Sequence, residues 1–546
     1  MVEFITNNGI SLDLDPSGSF EITIENPFFA SDSIPSPWST TVGFLPTRKN
    51  CREFGMIMAM MMEPSTTNIP ADMYVNGFKM MSGTLIYDSI EDNIINYSFT
   101  AKSATDKLES IDISQNNVFP SEIKLYSKEF DAIRDGTNEA IKAPTLIIKG
   151  GAITSTTSIG LRGRYVNHPG MLISMLIPAV QMYQFIIDAF GDNIIIDNTI
   201  LTDLRRLYML CPYKPEPTDS VIGFKDLILK ISDTMPKMSK LDMILGLSCI
   251  FGAHYYPDGD GYRLLSSEQL LHNSDIIDWG AKVSDTFSCS SDPATGFVMK
   301  YVDDSSENCY DGTKNDDAGI EKANSYFDVA ISRKKPSEGE YIAVEHVPTQ
   351  DIFSYTLQNV WGYDLFPTES LLRYNNAIDY KVKGSEESCE VSLPFKLVRP
   401  VPELVYIERG ITRLMLAPII TPPSRGEERG SDAYIGIIDE GQMTDKGRVV
   451  VPVTGSQESG LNVYEDKNVG FNLSCPYSYN AALISYKMTR HQVVNVELNL
   501  STKDVAGFRM YRRYRFAGRE WLAKKISINV EVTSGRLKCS GEFAAI

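Results

Sequence analysis

A chain of 546 residues with a formal net charge of −18, 43% hydrophobic and 22% charged residues holds enough apolar material for several folded cores. That acidity argues against a broad surface for wrapping nucleic acid, which needs dense Lys and Arg, yet it suits a conduit that nucleic acid passes without adhering. Eight cysteines with no CxxC pair offer neither a zinc site nor a dense disulfide framework, so free thiols in a reducing compartment are expected.

The opening MVEFITNNGISLDLD has no basic region followed by an apolar core, so it does not read as a signal peptide, and folding in a cytoplasm is the expectation. Residues 1–105 read as a β-domain. Phe20–Glu25 and Ser39–Leu45 alternate with the period of half-buried strands. Between them, Asn26-Pro27-Phe28-Phe29 and Ile34-Pro35-Ser36-Pro37-Trp38 form a connector whose prolines remove donors and bias their neighbours towards extended backbone. It reads as an ordered arm presenting Phe28, Phe29 and Trp38 to a neighbour. Next to Arg48, Thr47 or Asn50 is placed to cap a short helix that leads into Met56, Met58, Met60, Met61 and Met62, a flexible packing surface. Strands are expected at Ala71–Tyr74, Phe78–Tyr87 and Asn93–Ala101, turning at Asn76-Gly77 and near Glu91-Asp92.

Residues 106–166 read as a variable connector with a helix-like patch over Ser121–Arg134. The GGAITST stretch lacks the Gly-Lys-Ser/Thr of a phosphate-binding loop. Residues 167–284 read as mixed α/β. Met171–Phe190 has the length of a membrane span, but Pro178, Gln181, Gln184 and Asp188 interrupt it and Gly191 stops it, which makes it a buried or interface helix. A strand at Asn193–Ile196 and helices at Phe224–Ile231 and Ser239–Phe251 follow, the last stopped by Gly252. The Asp258-Gly259-Asp260-Gly261 element reads as a hairpin turn, because the twelfth position of a calcium loop starting at Asp258 is Gln269. Residues 285–400 return to β character (Gly296–Val302, Tyr326–Ser332, Tyr341–Val347), with a polar loop at Asp303–Asn315 and a further aromatic anchor at Trp361. Residues 401–546 form a β-rich region with a loop near 421–430. Its strands are Gly447–Val453, Gln492–Leu500, Glu520–Val532 and Arg536–Phe543, and the last of them are free to return to an earlier β-domain. The fold class expected is α+β, mainly β.

Chemistry is sparse. The five histidines form no HxxxH or HExxH pair, no G-x-S-x-G elbow is present, and the acidic pairs Asp303-Asp304 and Asp316-Asp317 sit in polar, loop-like sequence. No catalytic, cofactor-binding or metal-binding residue is assigned. The clearest charged motif is FRMYRRYRFAGREW over Phe508–Trp521. Its interleaved basic and aromatic residues fit either single-stranded nucleic acid or a β-element whose arginines, Arg512 and Arg513 among them, pair with carboxylates. The acidity of the chain favours the second.

In layout the chain resembles the hub or tail-tip (baseplate hub) proteins of tailed bacteriophages, in particular of phages and prophages of Bacteroides-type bacteria. The ENPFF…LPTRKN arm, the FGAHYYPDGDGYRLLSS stretch of the middle region and the closing YRFAGREWLAKKISINVEV carry that resemblance. It implies two tube-like β-barrel or sandwich domains per subunit around the mixed domain, in a homotrimeric, pseudo-sixfold ring under the tail tube. No catalytic residues or cofactors are implied. The implied partners are other copies of the chain, the tail-tube protein and a distal tail or baseplate protein, with DNA passing through the lumen unbound. The implied location is the virion tail, assembled in the bacterial host cytoplasm. Phe28, Phe29, Trp38, Arg48, Arg512, Arg513 and Trp521 are the interface candidates. The competing readings are a tail-associated peptidase or glycan hydrolase, which residues 303–480 would have to contain, and a glycan-binding surface protein, suggested by Trp38 and Trp361.

Overall fold

The computed structural model describes residues 1–29, 34, 38–56, 64–101, 108–115, 117–124, 127–134, 137–142, 178–210, 228–258, 261–300, 302, 387–397, 400–408, 411–420, 433–437 and 474–546. It also describes short strands at 147–148, 165–166, 351–352, 357–360, 363–367, 372–373, 377–380 and 463–465. The loops at 303–315 and 421–430, the strands expected at 326–332, 341–347 and 447–453, Trp361 and the methionines from Met58 to Met62 lie outside the described residues.

The fold is α+β and mainly β, and its centre is a 13-stranded sheet. Its strands are β1 (Val2–Thr6), β2 (Ser19–Glu25), β3 (Trp38–Ser39), β4 (Val42–Phe44), β5 (Asn68–Val75), β6 (Phe78–Glu91), β7 (Ile94–Ala101), β8 (Ile276–Asp278), β9 (Val283–Asp292), β10 (His491–Leu498), β11 (Arg513–Phe516), β12 (Arg519–Glu531) and β13 (Leu537–Ala545). The order β1-β5-β6-β7-β3-β2-β12-β13-β10-β9 joins strands from both ends of the described chain, while β4 pairs with β7, and β11 lies between β8 and β12.

The N-terminal strands form a half-barrel for reasons legible in the residues. Alternation puts Phe4, Phe20, Phe44 and Phe99 on one side, all nearly or fully buried. Phe4 sits among the others, its ring centroid 5.2 Å from Phe99, 5.7 Å from Phe44 and 6.0 Å from Phe20. The hairpins turn through left-handed backbone at Asn76 (φ 50) and Gly77 (φ 81), then at Asp92 (φ 48) and Asn93 (φ 67), residue types that tolerate it. The helix α1 (Arg48–Glu53) is capped by Thr47, whose side chain accepts from Asn50 N, and it ends before the methionine run. Phe54, just after it, plugs the barrel against Tyr97 and Phe44. β1 is covered on its second edge as well. Val2 N donates to Val532 O (3.1 Å), Leu12 N to Phe4 O (2.8 Å) and Thr6 N to Ile10 O (2.9 Å).

β12 is the strand that both halves share. Its last residues pair with β2, from Glu25↔Lys525 to Ser19↔Glu531, and its first with β11, from Arg513↔Leu522 to Phe516↔Arg519. β13 runs beside it along most of its 13 residues, with a bulge between Ala523 and Lys525. The C-terminal half then curls through β13, β10 and β9. A chain connection and not a strand pairing spans the open side of that curl: β8 pairs with β11 and turns directly into β9 at Trp279, whose backbone N–H donates to Arg515 O (2.8 Å) and whose ring packs 4.1 Å from Tyr514.

The middle region departs from its expected helices in two places. Over 171–190, the described residues give a strand at Ala179–Gln181 and a helix α2 only at Tyr183–Phe190; Pro178 cannot donate a helical hydrogen bond, and Ala179–Gln181 pairs in a sheet instead. Over 224–231, Ile228–Lys230 is a strand paired with Glu122–Lys124, which also shortens the expected 121–134 helix to Lys128–Arg134. The helix at 239–251 is present as α3 (Lys240–Ile250), with Ser239 accepting from Asp242 N at its start and Gly252 (φ 53) at its end. Lys240 of α3 forms a buried ion pair with Asp188 of α2. No helix among the described residues is long and apolar enough to cross a membrane.

The three regions meet at Asn26. Its side chain is 1% exposed and makes four hydrogen bonds. Nδ2 donates to Ala523 O (2.7 Å) and Met510 O (3.1 Å), while Oδ1 accepts from Phe28 N (3.0 Å) and Tyr256 OH (3.1 Å). Asn26→Leu keeps the branched outline of the side chain but strands those partners in a dry site. Urea unfolding should therefore show a loss of about 3 kcal/mol or more, with Tyr256→Phe costing far less because it removes only one of the bonds.

Candidate assembly surface

One face of the sheet is polar where β2, β12, β13 and β10 lie side by side, with Thr23 buried within it. The residues that alternate with the core are Glu21, Thr23 and Glu25 on β2, Lys525, Ser527, Asn529 and Glu531 on β12, Lys538, Ser540 and Glu542 on β13, and Asn495 and Glu497 on β10. The register lines them up as Glu25–Lys525–Glu542–Asn495–Ser288 and Thr23–Ser527–Ser540–Glu497 across the strands. Lys525 pairs with Glu25 at 3.4 Å, and Lys524, at the bulge, reaches Asp292 (2.8 Å) and Glu542 (3.0 Å). A shallow groove of about 440 Å³ crosses this face beside the exposed ring of Phe287. β9, which carries Phe287, ends the strand order, and among the described residues nothing pairs with its outer edge, in contrast to β1.

The arginine-rich motif is consumed inside the chain. Arg509 Nε lies 3.2 Å from Asp258, which also takes Arg263 at 2.9 Å, so the residue that opened the calcium reading serves as a two-arginine clamp at the hairpin Ala253–Asp258/Gly261–Ser266. Burial raises the pKa of Asp258, but Arg263 and Arg509 outweigh it and hold the carboxyl below its ordinary value. Arg512 pairs with Asp275 (2.9 Å), while Arg513 and Arg515 share Glu520. Arg515, with the charge of Arg513, keeps Glu520 below its usual range. Arg519 donates to Gln492 (2.6 Å). The expectation that these arginines pair with carboxylates holds for Arg509, Arg512, Arg513 and Arg515.

The aromatic candidates are placed differently from the sequence expectation. Pro27–Phe29 is a turn of 3₁₀ helix, not extended arm, and Phe28 is 2% exposed between Phe29, His254 and Tyr486. Phe28 is therefore a core side chain that docks the arm on its own middle region. Trp521 is equally buried, stacked on Phe516 with its Nε1 donating to Phe516 O (3.0 Å). The partly buried Phe29 lies under the Lys524 ammonium, and Arg48 is exposed at the start of α1. The backbone of Trp38 pairs with Thr23 and Thr100.

Sequence reading passed over His254. Its ring lies against Phe28 with Nε2 3.3 Å from Ser267 Oγ, and it lines a cavity of about 40 Å³ with Cys249, Cys389 and Lys487. That volume admits water but no substrate. Among the described residues no group of three or more His, Cys, Asp or Glu side chains is placed to hold a metal ion.

No protein-family model matches this chain, and no curated protein matches it. Among solved structures it is similar to a 43 kDa tail protein of prophage MuSo2 from Shewanella oneidensis (9% identity, TM-score 0.34, covering 100% of this chain and 98% of that one). A tail protein from Neisseria meningitidis MC58 (6%, 0.35, 100% and 95%) and prophage tail protein gp18 from Listeria monocytogenes EGD-e (8%, 0.31, 100% and 94%) are similar in the same degree. These structural neighbours are phage and prophage tail proteins.

Burial, reinforced by the Lys487 charge, pushes His254 down to about 3. The folded state keeps this ring neutral where the unfolded chain, with an ordinary pKa near 6.5, takes up a proton. Stability is then full above about pH 6.5 and falls as pH drops towards 3, by up to about 1.4 kcal/mol per pH unit. His254→Gln, which cannot be protonated, should flatten the fall in urea midpoint between pH 6.5 and 5; an unchanged slope would place the ring in water.

Proposed function

We propose that this chain is a structural hub or adaptor at the distal end of a phage tail. It continues the tail tube as an oligomeric ring, a trimer in which each copy gives two half-barrels to a pseudo-sixfold wall, and joins the tube protein to distal tail or baseplate proteins. The observation that carries the reading is the polar face that passes from β2 of one half-barrel across β12 to β13 and β10 of the other, with Glu21, Glu25, Glu497, Glu531 and Glu542 set against Lys525 and Lys538. Such a face is too hydrated to be a core and too acidic to hold phosphates, which are retained by free Lys and Arg through counterion release. In this reading it lines the lumen, and the uncovered β9 edge is where the next copy or the tube protein extends the sheet.

Sedimentation at micromolar protein, with and without the tail-tube protein, should show a ring-sized species; a strict monomer that ignores the tube protein would sink the proposal. Trp38→Ala should weaken that assembly while leaving the circular dichroism of the subunit intact. At low salt, where attraction to phosphates is strongest, the protein should not retain duplex or single-stranded DNA. Tight, salt-sensitive binding abolished by Arg512→Ala and Arg513→Ala would promote nucleic-acid recognition over the conduit.

A further inference from the structure

The cavity beneath the Phe28 turn is walled on one side by α3, through Leu245, Ser248 and Cys249. Its other side is the parallel pair of strands Gly296–Lys300 and Ser388–Ser392, in which Phe297 lies opposite Cys389. Two thiols from elements far apart in sequence thus face the same void of about 40 Å³, and both are free and only partly buried. The other described cysteines, Cys51, Cys289 and Cys539, stand on other elements, outside this cavity. Gly296–Lys300 is the centre of a three-stranded sheet, with Ala377–Tyr380 on its other side.

We propose that Cys249 and Cys389 are an oxidisable pair, which hydrogen peroxide converts into a disulfide that crosses the cavity and fastens α3 to the strand Ser388–Ser392. Peroxide is small enough to enter a void of this size, and the void gives the sulfurs room to rotate towards each other. Burial, with Cys389 as a neighbour, pushes the Cys249 thiol up to about 11, which disfavours it as the first nucleophile. The Cys389 thiolate therefore attacks the O–O bond, forming a sulfenic acid and releasing hydroxide. The Cys249 thiolate then attacks the sulfenic sulfur, forming the S–S bond and expelling the second hydroxide. The two thiol protons complete two waters, and two electrons pass from sulfur to peroxide. The crosslink closes a long loop, so it stabilises by constraining the unfolded chain. The inference is independent of the tail reading.

The test is peptide mapping of the folded, full-length protein after exposure to hydrogen peroxide, with remaining thiols blocked by N-ethylmaleimide on denaturation. The expected result is a peptide linking Cys249 to Cys389 that separates on reduction, together with a higher urea midpoint for the oxidised protein. Cys389→Ser should show neither the link nor the gain. Recovery of both cysteines as separate maleimide adducts or as sulfinic acids, or linked to other cysteines, would overturn the proposal, and this mapping needs no variant to fold.

Discussion

The arrangement depends on one buried amide. Asn26 follows β2, yet its side chain bonds Ala523 and Met510 from the C-terminal segment and Tyr256 from the middle hairpin, while its backbone N–H donates to Lys524 O (2.9 Å). Both donors and the acceptor oxygen are satisfied, so a polar group that would cost several kcal/mol if left unpaired instead fixes one geometry. Aspartate in its place would lack the donors for Ala523 and Met510, and alanine would reach nothing. Packing around it is apolar and tolerant, and the amide supplies the direction that Phe28 and Tyr486 lack.

Much of the fold is local, and that part was legible. Period-two alternation marked β2, β5, β6, β7, β10, β12 and β13, and the Asn76-Gly77 turn needed only its own residue types. What sequence could not reveal was which strands meet. β2 bonds to β12 through Phe20↔Val530 and its neighbours, a pairing with no signature in either strand. Within the helices expected at 171–190 and 224–231, Ala179–Gln181 and Ile228–Lys230 are strands, because sheet partners prevail over helical propensity in short apolar runs, an ambiguity that periodicity alone does not resolve. The same blindness affected the surface. Phe28 and Trp521 look like grips in sequence because large aromatic residues suit grooves, but the groove each one fills belongs to its own chain. The arginines were better judged, since an acidic chain offers each of them a carboxylate nearby. Nothing in the ENPFF stretch announced Asn26 as the junction; only its place between a strand and a proline gave a hint.

The bulge at Lys524 is the mechanical counterpart of that junction. It adds one residue to β12 where the strand passes from its β11 pairing to its β2 pairing, and bulges bend and twist the strand that carries them. The extra residue is a lysine whose carbonyl receives Asn26 and whose ammonium reaches Asp292 and Glu542 over the ring of Phe29. The corner between the half-barrels is thus fixed by backbone, charge and aromatic contacts at once, and the polar face crosses it from β2 to β13.

A sheet closed in this way has a history on the ribosome. Asn26 and Ala523 are 497 residues apart, and at a synthesis rate of about 5–20 residues per second the partner of β2 emerges roughly 25–100 s later. During that interval the edge of β2 is unpaired, the Phe4 cluster has an open flank, and neither half-barrel has its common wall. Strand edges of this kind invite pairing with the wrong chain, including another nascent copy. The architecture therefore makes closure of the shared sheet late and abrupt, triggered by the arrival of β12 and β13. A truncation that removes those strands would leave an N-terminal region with its core lidless, not a smaller working domain.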